Sequence, residues 1–402
     1  MKLQVSCFRF HTSRFMNKIQ ALTFDTKLDG WEKSRGFVKR EVEMPVLDEN
    51  KDSLDALCVL IEVNYAGVCG TDRGIWHRQA LKELVHDSLN REVKSQRILG
   101  HEFVGKVIQA GSQVKNLYGI KEGDDVSGDS HITCGQCFQC RIGEQEVCQD
   151  QKILGIGIDG VFAKYIKIPA KNLWQVDFTR VRPEIAAMFD PFGNAVHACS
   201  KVDLRGQRVA ILGCGPIGMF TVLLCRAFGA AKVVAVDINK ANLAMAKRLG
   251  AHEILCLTSN VKHKDGVDEE LQSAIHKLTY GKGVDIAFEM AGPNDSVNNA
   301  LAITRGGGEI VLFGLRDGDF TIPKFNQVII KGLTLHGVIG RKIFATWQTS
   351  QRLLSDKQNG IQDKIWRIIL NEGRGTIVPM ASFSVSKFEE KMERYPKILI
   401  KM

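Results

Sequence analysis

Long apolar runs are missing from this 402-residue chain: none approaches the ~20 residues that a helix needs to span a bilayer, which excludes a helical membrane anchor. Internal repeats and low-complexity tracts are missing too, which excludes a solenoid and points to packed domains. Blocks of one charge sign are absent as well. The formal net charge is +9, but pairs such as Lys39-Arg40 are followed by acids such as Glu41, so the surplus reads as a solvated basic surface rather than a nucleic-acid footprint. No long apolar core of a secretory signal follows the basic residues Lys2, Arg9, Arg14 and Lys18. A start at Met16 accounts for them more simply than a transit peptide, and a cytoplasmic protein is expected.

What is present begins with length. A chain of this size exceeds the ~250 residues at which single cores stop growing, so two domains are expected. Up to about residue 195, short Val/Ile-rich runs punctuated by glycine, such as Cys58 to Val63 and Phe103 to Ile108, predict strands of a β-rich domain. From Arg208 to about Gly340 the pattern alternates. Strands are expected at Val209 to Leu212, Lys232 to Val236, Val284 to Glu289 and Glu309 to Phe313, with helices at Pro216 to Phe228 and Asn239 to Leu249. Such alternation predicts an α/β unit with a parallel, doubly wound sheet. The expected division is an extension over residues 1–15, a first domain over 16–195, a second over 196–339, and a return to the first over 340–402.

Gly213-Cys214-Gly215-Pro216-Ile217-Gly218 fits the G-x-G-x-x-G dinucleotide fingerprint. Gly213 permits a tight turn, Gly215 lets backbone approach a pyrophosphate, and Gly218 allows close helix packing. Asp237, ending the next strand, can accept hydrogen bonds from an adenosine ribose and would repel a 2′-phosphate, which favours NAD; Lys240 leaves some tolerance of NADP.

The eleven cysteines do not form a secreted disulfide pattern. Four crowd together as Cys134, Cys137, Cys140 and Cys148, a spacing that suits one closed tetrahedral Zn²⁺, with an iron–sulfur cluster as the rival. A second set, Cys69-Gly70-Thr71-Asp72 with Gly100-His101-Glu102, offers a thiolate, an imidazole and a carboxylate from separate segments. Beside a cofactor fold it implies a catalytic zinc with one position open to substrate. Asp190, just before the nucleotide-binding region, is a further acid near the metal or else a helix or turn cap.

Three longer stretches carry a resemblance: His131-Ile132-Thr133-Cys134-Gly135, Phe189-Asp190-Pro191-Phe192-Gly193-Asn194-Ala195-Val196-His197, and Gly340-Arg341-Lys342-Ile343-Phe344-Ala345-Thr346-Trp347. With them the chain from about Met16 resembles the zinc-containing medium-chain alcohol dehydrogenases, and among these the L-threonine 3-dehydrogenases. The resemblance implies a GroES-like catalytic domain, a Rossmann domain, a dimer or tetramer of identical chains, and two zinc ions with NAD. It assigns Cys69, His101 and Glu102 to the catalytic zinc, Thr71 to relay of the alcohol proton, Asp72 to orientation of the histidine, Asp190 to the acid beside the metal and His131 to the substrate pocket. Ile217, Asp237, Phe313, Gly314, Leu315, Val338 and Ile339 fall where that family lines the nucleotide. The implied reaction transfers a hydride from a secondary alcohol to NAD, with L-threonine oxidised to 2-amino-3-oxobutanoate.

The chain departs from that pattern at two points. Asn242 stands where an arginine is usual near the adenosine. Gly74 stands where threonine dehydrogenases carry a histidine that passes on the proton from Thr71; the local text is similar to glucose dehydrogenases, and the segment before His101 is longer than usual, with His77 and His86 as substitute relays. The competing reading is therefore an aldose or polyol dehydrogenase acting on glucose, sorbitol or butanediol. A non-catalytic NAD-responsive binding protein is disfavoured by the full set of candidate ligands.

Overall fold

β-branched runs bounded by glycine pair into sheets throughout the first half of the chain. The computed structural model describes residues 18–257, 266–316 and 318–402, so the extension expected over residues 1–15 lies outside the described residues. The first strands are β1 (Lys18–Asp25), β2 (Val38–Glu43) and β3 (Cys58–Gly67), followed by helices α1 (Gly70–Trp76) and α2 (Lys82–Glu92). Next come β4 (Gln96–Ile98), β5 (Glu102–Ala110), β6 (Asp125–Gly128), β7 (His131–Ile132), β8 (Lys152–Ile153), β9 (Tyr165–Pro169) and β10 (Leu173–Gln175).

Helix α3 (Phe189–Cys199) leads into the second half. There β11 (Arg208–Leu212), α4 (Pro216–Ala227), β12 (Lys232–Asp237), α5 (Lys240–Leu249), β13 (Glu253–Cys256), β14 (Val284–Glu289), β15 (Thr304–Leu312) and β16 (Thr334–Gly337) follow. These six strands form one parallel sheet in the order β13-β12-β11-β14-β15-β16. The order reverses between β11 and β14, which opens a crevice at their carboxyl ends. The expected elements recur here with small shifts. Asn239 stays outside α5 because its side chain caps Ala241 and Asn242, and β15 starts before Glu309, running through Gly306-Gly307-Gly308 with a register irregularity opposite β14.

After Gly340 the chain forms α6 (Ala345–Ser355), β17 (Ile377–Pro379) and β18 (Leu399–Lys401). The last two strands enter the sheet of the first half, ordered β10-β6-β5-β3-β18-β17 with β9 also on β3. One apolar cluster fills that first sheet, from Val59, Ile61 and Phe103 to Ile398 and Ile400. A second runs from α3 through α4 to β11, and a third covers the other face of the parallel sheet. Among the described residues no helix is long and apolar enough to cross a membrane.

Candidate metal and nucleotide sites

Strand pairing brings the three candidate ligands together. Gly67, near the end of β3, lies opposite Glu102, at the start of β5, so Cys69 just beyond one strand and His101 just before the other become neighbours. β18 pairs with β3 on its other side, Leu399 opposite Gly67, and this brings Lys397 to the same point. Ligand atoms of Cys69, His101 and Glu102 lie within 4.8 Å of one another. Glu102 needs the glycine opposite it, because a Cβ at Gly67 would collide with its carboxylate.

Cys69 is the N-cap of α1, and its amide donates to Asp72 Oδ2 at 2.8 Å. Asp72 Oδ1 is 3.8 Å from His101 Nδ1, while Thr71 Oγ1 is 3.3 Å from His101 Nε2. One ring nitrogen thus faces a carboxylate, beyond hydrogen-bond distance, and the other faces the candidate ligands. Burial opposes a charge on His101, but Asp72 and Cys69 outweigh it and push its pKa up to about 10. Burial raises Asp72 against the pull of His101, and raises Glu102 against the pull of Lys397. Lys397, itself buried, ion-pairs with Glu102 Oε2 and donates to Val68 O at 3.0 Å. Glu102 Oε1 is buried without a partner, a free acceptor in a thiolate, imidazole and carboxylate set that suits zinc.

Asp190 lies in the first turn of α3, yet it does not cap that helix: the N-cap is Met188, with no side-chain cap bond. Its carboxylate instead accepts from Arg341 Nη1 at 2.9 Å. Arg341, 1% exposed, also donates to Asp129 Oδ1 at 2.8 Å, Ser130 Oγ at 2.9 Å and Asn194 Oδ1 at 3.2 Å. Asp129 further accepts from Trp347 Nε1 at 3.0 Å and the His131 amide at 2.9 Å. Burial and the Arg341 charge lower the pKa of His131, whose Nδ1 is buried and unpartnered. A Cβ on Gly340 would lie 2.8 Å from that ring.

Neither substitute relay reaches Thr71. His77 follows the far end of α1, about 9 Å along the axis at ~1.5 Å per residue, and stands 3.9 Å from Glu389. His86 packs on Phe24 and Trp31. Gly74 has a steric reason for being glycine: after α1 the chain folds back, and a Cβ there would sit 3.0 Å from the Ala80 Cβ.

The thiolate lobe is more regular. Cys137 and Cys148 sulfurs are 3.8 Å apart, Cys148 and Cys134 sulfurs 3.6 Å, and the four sulfurs with Cys140 lie within 4.8 Å. A tetrahedron built on ~2.3 Å zinc–sulfur bonds has edges of about 3.8 Å, so the spacing suits one ion rather than an iron–sulfur cluster. Amide donors lower the Cys137 pKa to about 6, and burial raises Cys140 to about 12.

In the second half, Gly213 turns the chain after β11 at φ 96°, with Ala291 N only 2.8 Å from where its Cβ would be. A Cβ at Gly218 would collide with Gly213 O, whereas one at Gly215 would meet nothing within 4 Å. Gly215 is the N-cap of α4 and Pro216 its first residue, so open space faces the helix's free amides. Asp237 Oδ2 accepts from Cys214 N at 2.6 Å. Ile217, half-buried, follows Pro216 in the first turn of α4. Phe313 and Gly314 follow β15, Val338 and Ile339 follow β16, and Leu315 is exposed. Sequence reasoning missed Glu289, whose buried carboxylate accepts from Ala291 N at 2.9 Å and Gly292 N at 2.8 Å. It also missed the roles of Asp129, Arg341 and Lys397. Arg341 lay in view inside its motif, but nothing local marks Lys397, 295 residues from Glu102.

Residues 56–178 match the alcohol dehydrogenase GroES-like domain, and residues 216–356 the zinc-binding dehydrogenase domain. The L-threonine 3-dehydrogenase of Bacillus velezensis is 36% identical over 335 residues, 83% of this chain and 87% of that one. The L-threonine 3-dehydrogenase of Pseudoalteromonas translucida is 35% identical over 319 residues, 79% and 87% of the two chains. Among solved structures, an alcohol dehydrogenase of Thermus sp. ATN1 superposes with a TM-score of 0.75 at 23% identity, covering 95% of this chain and all of that one. L-idonate 5-dehydrogenase of Escherichia coli superposes at 0.72 and 21%, covering 96% and 99%; these two share the fold. The chain therefore belongs to the zinc-dependent, nicotinamide-linked medium-chain alcohol dehydrogenases, close to the threonine dehydrogenases within that family.

Proposed function

We propose that the protein oxidises the 3-hydroxyl of L-threonine with NAD, giving 2-amino-3-oxobutanoate. The observation that carries this is the convergence of Cys69, His101, Glu102 and Thr71 on one point, in a chain whose relatives named L-threonine 3-dehydrogenase cover most of its length. Bound at this donor set, zinc supplies Lewis-acid polarisation of the alcohol oxygen and NAD supplies the hydride acceptor.

The chain's own residues do the rest. The substrate's hydroxyl proton passes to Thr71 Oγ1 as that hydroxyl releases its own proton to solvent water, and the C–H hydrogen leaves with its bonding pair as hydride for the nicotinamide. Asp72 places a carboxylate 3.8 Å from His101 Nδ1, on the side of the ring away from the ligand cluster that Nε2 faces. Asp190, anchored by Arg341, lies close enough to act on His101 and Glu102, and His131 offers an unpartnered ring nitrogen to a polar group of the substrate. With glycine at 74, no side chain at that position takes the proton onward from Thr71. On the nucleotide side, the Gly213–Gly218 turn receives the pyrophosphate at the start of α4, and Asp237 the adenosine ribose.

The test is NADH formation by zinc-loaded protein with L-threonine, against L-serine, glucose, sorbitol and 2,3-butanediol. Preference for L-threonine is expected. Preference for a sugar or polyol would overturn the substrate and support the second reading, which Gly74 favours.

The same proposal extends to assembly and location. β16 is an edge strand of the parallel sheet, bordered by exposed Phe325, Ile329, Ile330, Leu335 and Ile339. An open apolar edge is satisfied by an identical edge across a two-fold axis, so a dimer through β16 is expected, and light scattering reads it directly. Two thiolate-containing metal sites suit a reducing compartment such as the cytoplasm.

A further inference from the structure

The segment between α1 and β4 takes no part in the chemistry above, yet it is held under strain. Six described non-glycine residues have positive φ, and three of them, Arg78 at 58°, Leu81 at 66° and Val93 at 55°, flank α2. Each costs about 1–2 kcal/mol, so packing around this helix must hold it firmly.

Arg97 is the centre of that packing. Its side chain is fully buried and donates to Glu92 on α2 at 3.0 and 3.2 Å, to Ser88 Oγ at 3.0 Å and to Asp159 Oδ1 at 3.2 Å. Ser88 Oγ in turn donates to Ile156 O at 2.9 Å, and Asp159 Oδ1 accepts from Ile98 N at 3.1 Å. Helix α2 and the 154–161 loop are thereby tied to each other and to β4.

The same loop encloses Gly100, the residue before His101. Val161 N donates to Gly100 O at 3.0 Å, Phe162 N to Leu99 O at 2.8 Å and Gly160 N to Ile98 O at 2.8 Å. A Cβ at Gly155 would lie 2.5 Å from Gly100 O, one at Gly160 would collide with it, and one at Gly100 would collide with the Phe162 ring. The backbone leading to His101 is therefore closely confined while the loop is held, and Arg97, through Asp159 and Ser88, is one of the groups that hold it.

We propose that Arg97 is a positioning residue for the catalytic metal: by clamping α2 to the 154–161 loop it fixes the backbone in front of His101 and sets how tightly the Cys69–His101–Glu102 site keeps its ion. This rests on the reading of those three residues as the metal site. Groups that hydrogen-bond a ligand directly change metal affinity by about 10–100-fold when removed, and Arg97, which acts through the loop, is expected at the low end of that range.

The experiment follows release of both zinc ions from the full-length protein to a chromogenic chelator, for Arg97→Lys, Asp159→Asn and Lys94→Ala. Lys94 pairs with the same two acids, Glu92 at 3.1 Å and Asp159 at 3.3 Å, but from a half-exposed position, and serves as the control. Expected are release of the catalytic ion about tenfold faster in Asp159→Asn and Arg97→Lys, an unchanged rate for the four-thiolate ion, and wild-type behaviour of Lys94→Ala. Asp159 is partly exposed, so Asp159→Asn keeps the test open where a change at Arg97 prevents folding. Wild-type rates in both clamp variants would overturn the proposal, as would parallel loosening of both ions with a falling melting temperature. A wild-type chain that binds only the four-thiolate ion would overturn the metal reading along with it.

Discussion

Single side chains divide into those that sequence context exposed and those that only burial reveals. Cys69, His101 and Glu102 stood out by spacing and chemistry, and they do converge. Removing the thiolate should separate the two metal sites: Cys69→Ser is expected to lower bound zinc from two ions to one per chain and to reduce turnover by at least about a thousandfold, while NAD affinity stays near wild type. Metal analysis with NAD titration checks this, and two retained ions with normal turnover would remove Cys69 from the site. The roles of Arg341 and Lys397 were not legible in this way: Arg341 stood inside a motif with nothing to mark its buried partners, and Lys397, an isolated basic residue, reads as solvated surface. What distinguishes them is burial against carboxylates: Arg341 between Asp129 and Asp190, Lys397 against Glu102.

Elements were the most legible level, since strand and helix periods differ and the glycine turn has its own grammar. The Gly213–Gly218 turn lets one prediction separate fold from ligand. Gly215→Ala adds a methyl that meets no protein atom within 4 Å, so folding is expected to be unaffected, but the methyl occupies the approach a pyrophosphate needs. Affinity for NAD should fall about tenfold or more in calorimetry, at an unchanged melting temperature. Wild-type affinity would mean that the nucleotide does not approach this turn. The long segment before His101 was legible only as extra length. Its packing crowds a side chain at position 74 and engages both histidines elsewhere, His77 beside Glu389 and His86 against Phe24 and Trp31.

At the scale of the whole molecule, charge pairs across the parallel sheet tie its stability to pH. Burial raises Asp285, but Arg208 and Arg305 outweigh it and hold its carboxyl well below the usual carboxylate range. A depressed folded-state pKa contributes stability that is present above the unfolded value near 4 and lost as pH falls below it. Asp285→Asn is therefore expected to cost about 2 kcal/mol at pH 7, in line with charge-assisted hydrogen bonds, and to flatten the loss of stability below pH 4. Urea unfolding at pH 7 and pH 3 measures both, and equal acid sensitivity in variant and wild type would exclude Asp285 as its source.

By itself the sequence determined the alternation that makes a parallel sheet, a glycine turn that fits a dinucleotide, and two sets of candidate metal-ligand residues, because periodicity, glycine conformation and donor chemistry are properties of short segments. The tertiary structure decided what depends on distance through space. It brought β18 and Lys397 to Glu102 across nearly 300 residues of chain, set Arg341 between two buried acids, and packed Ala80 tightly against position 74. Burial and pairing of charges emerge only when remote strands meet, and no spacing along the chain records which strands those are.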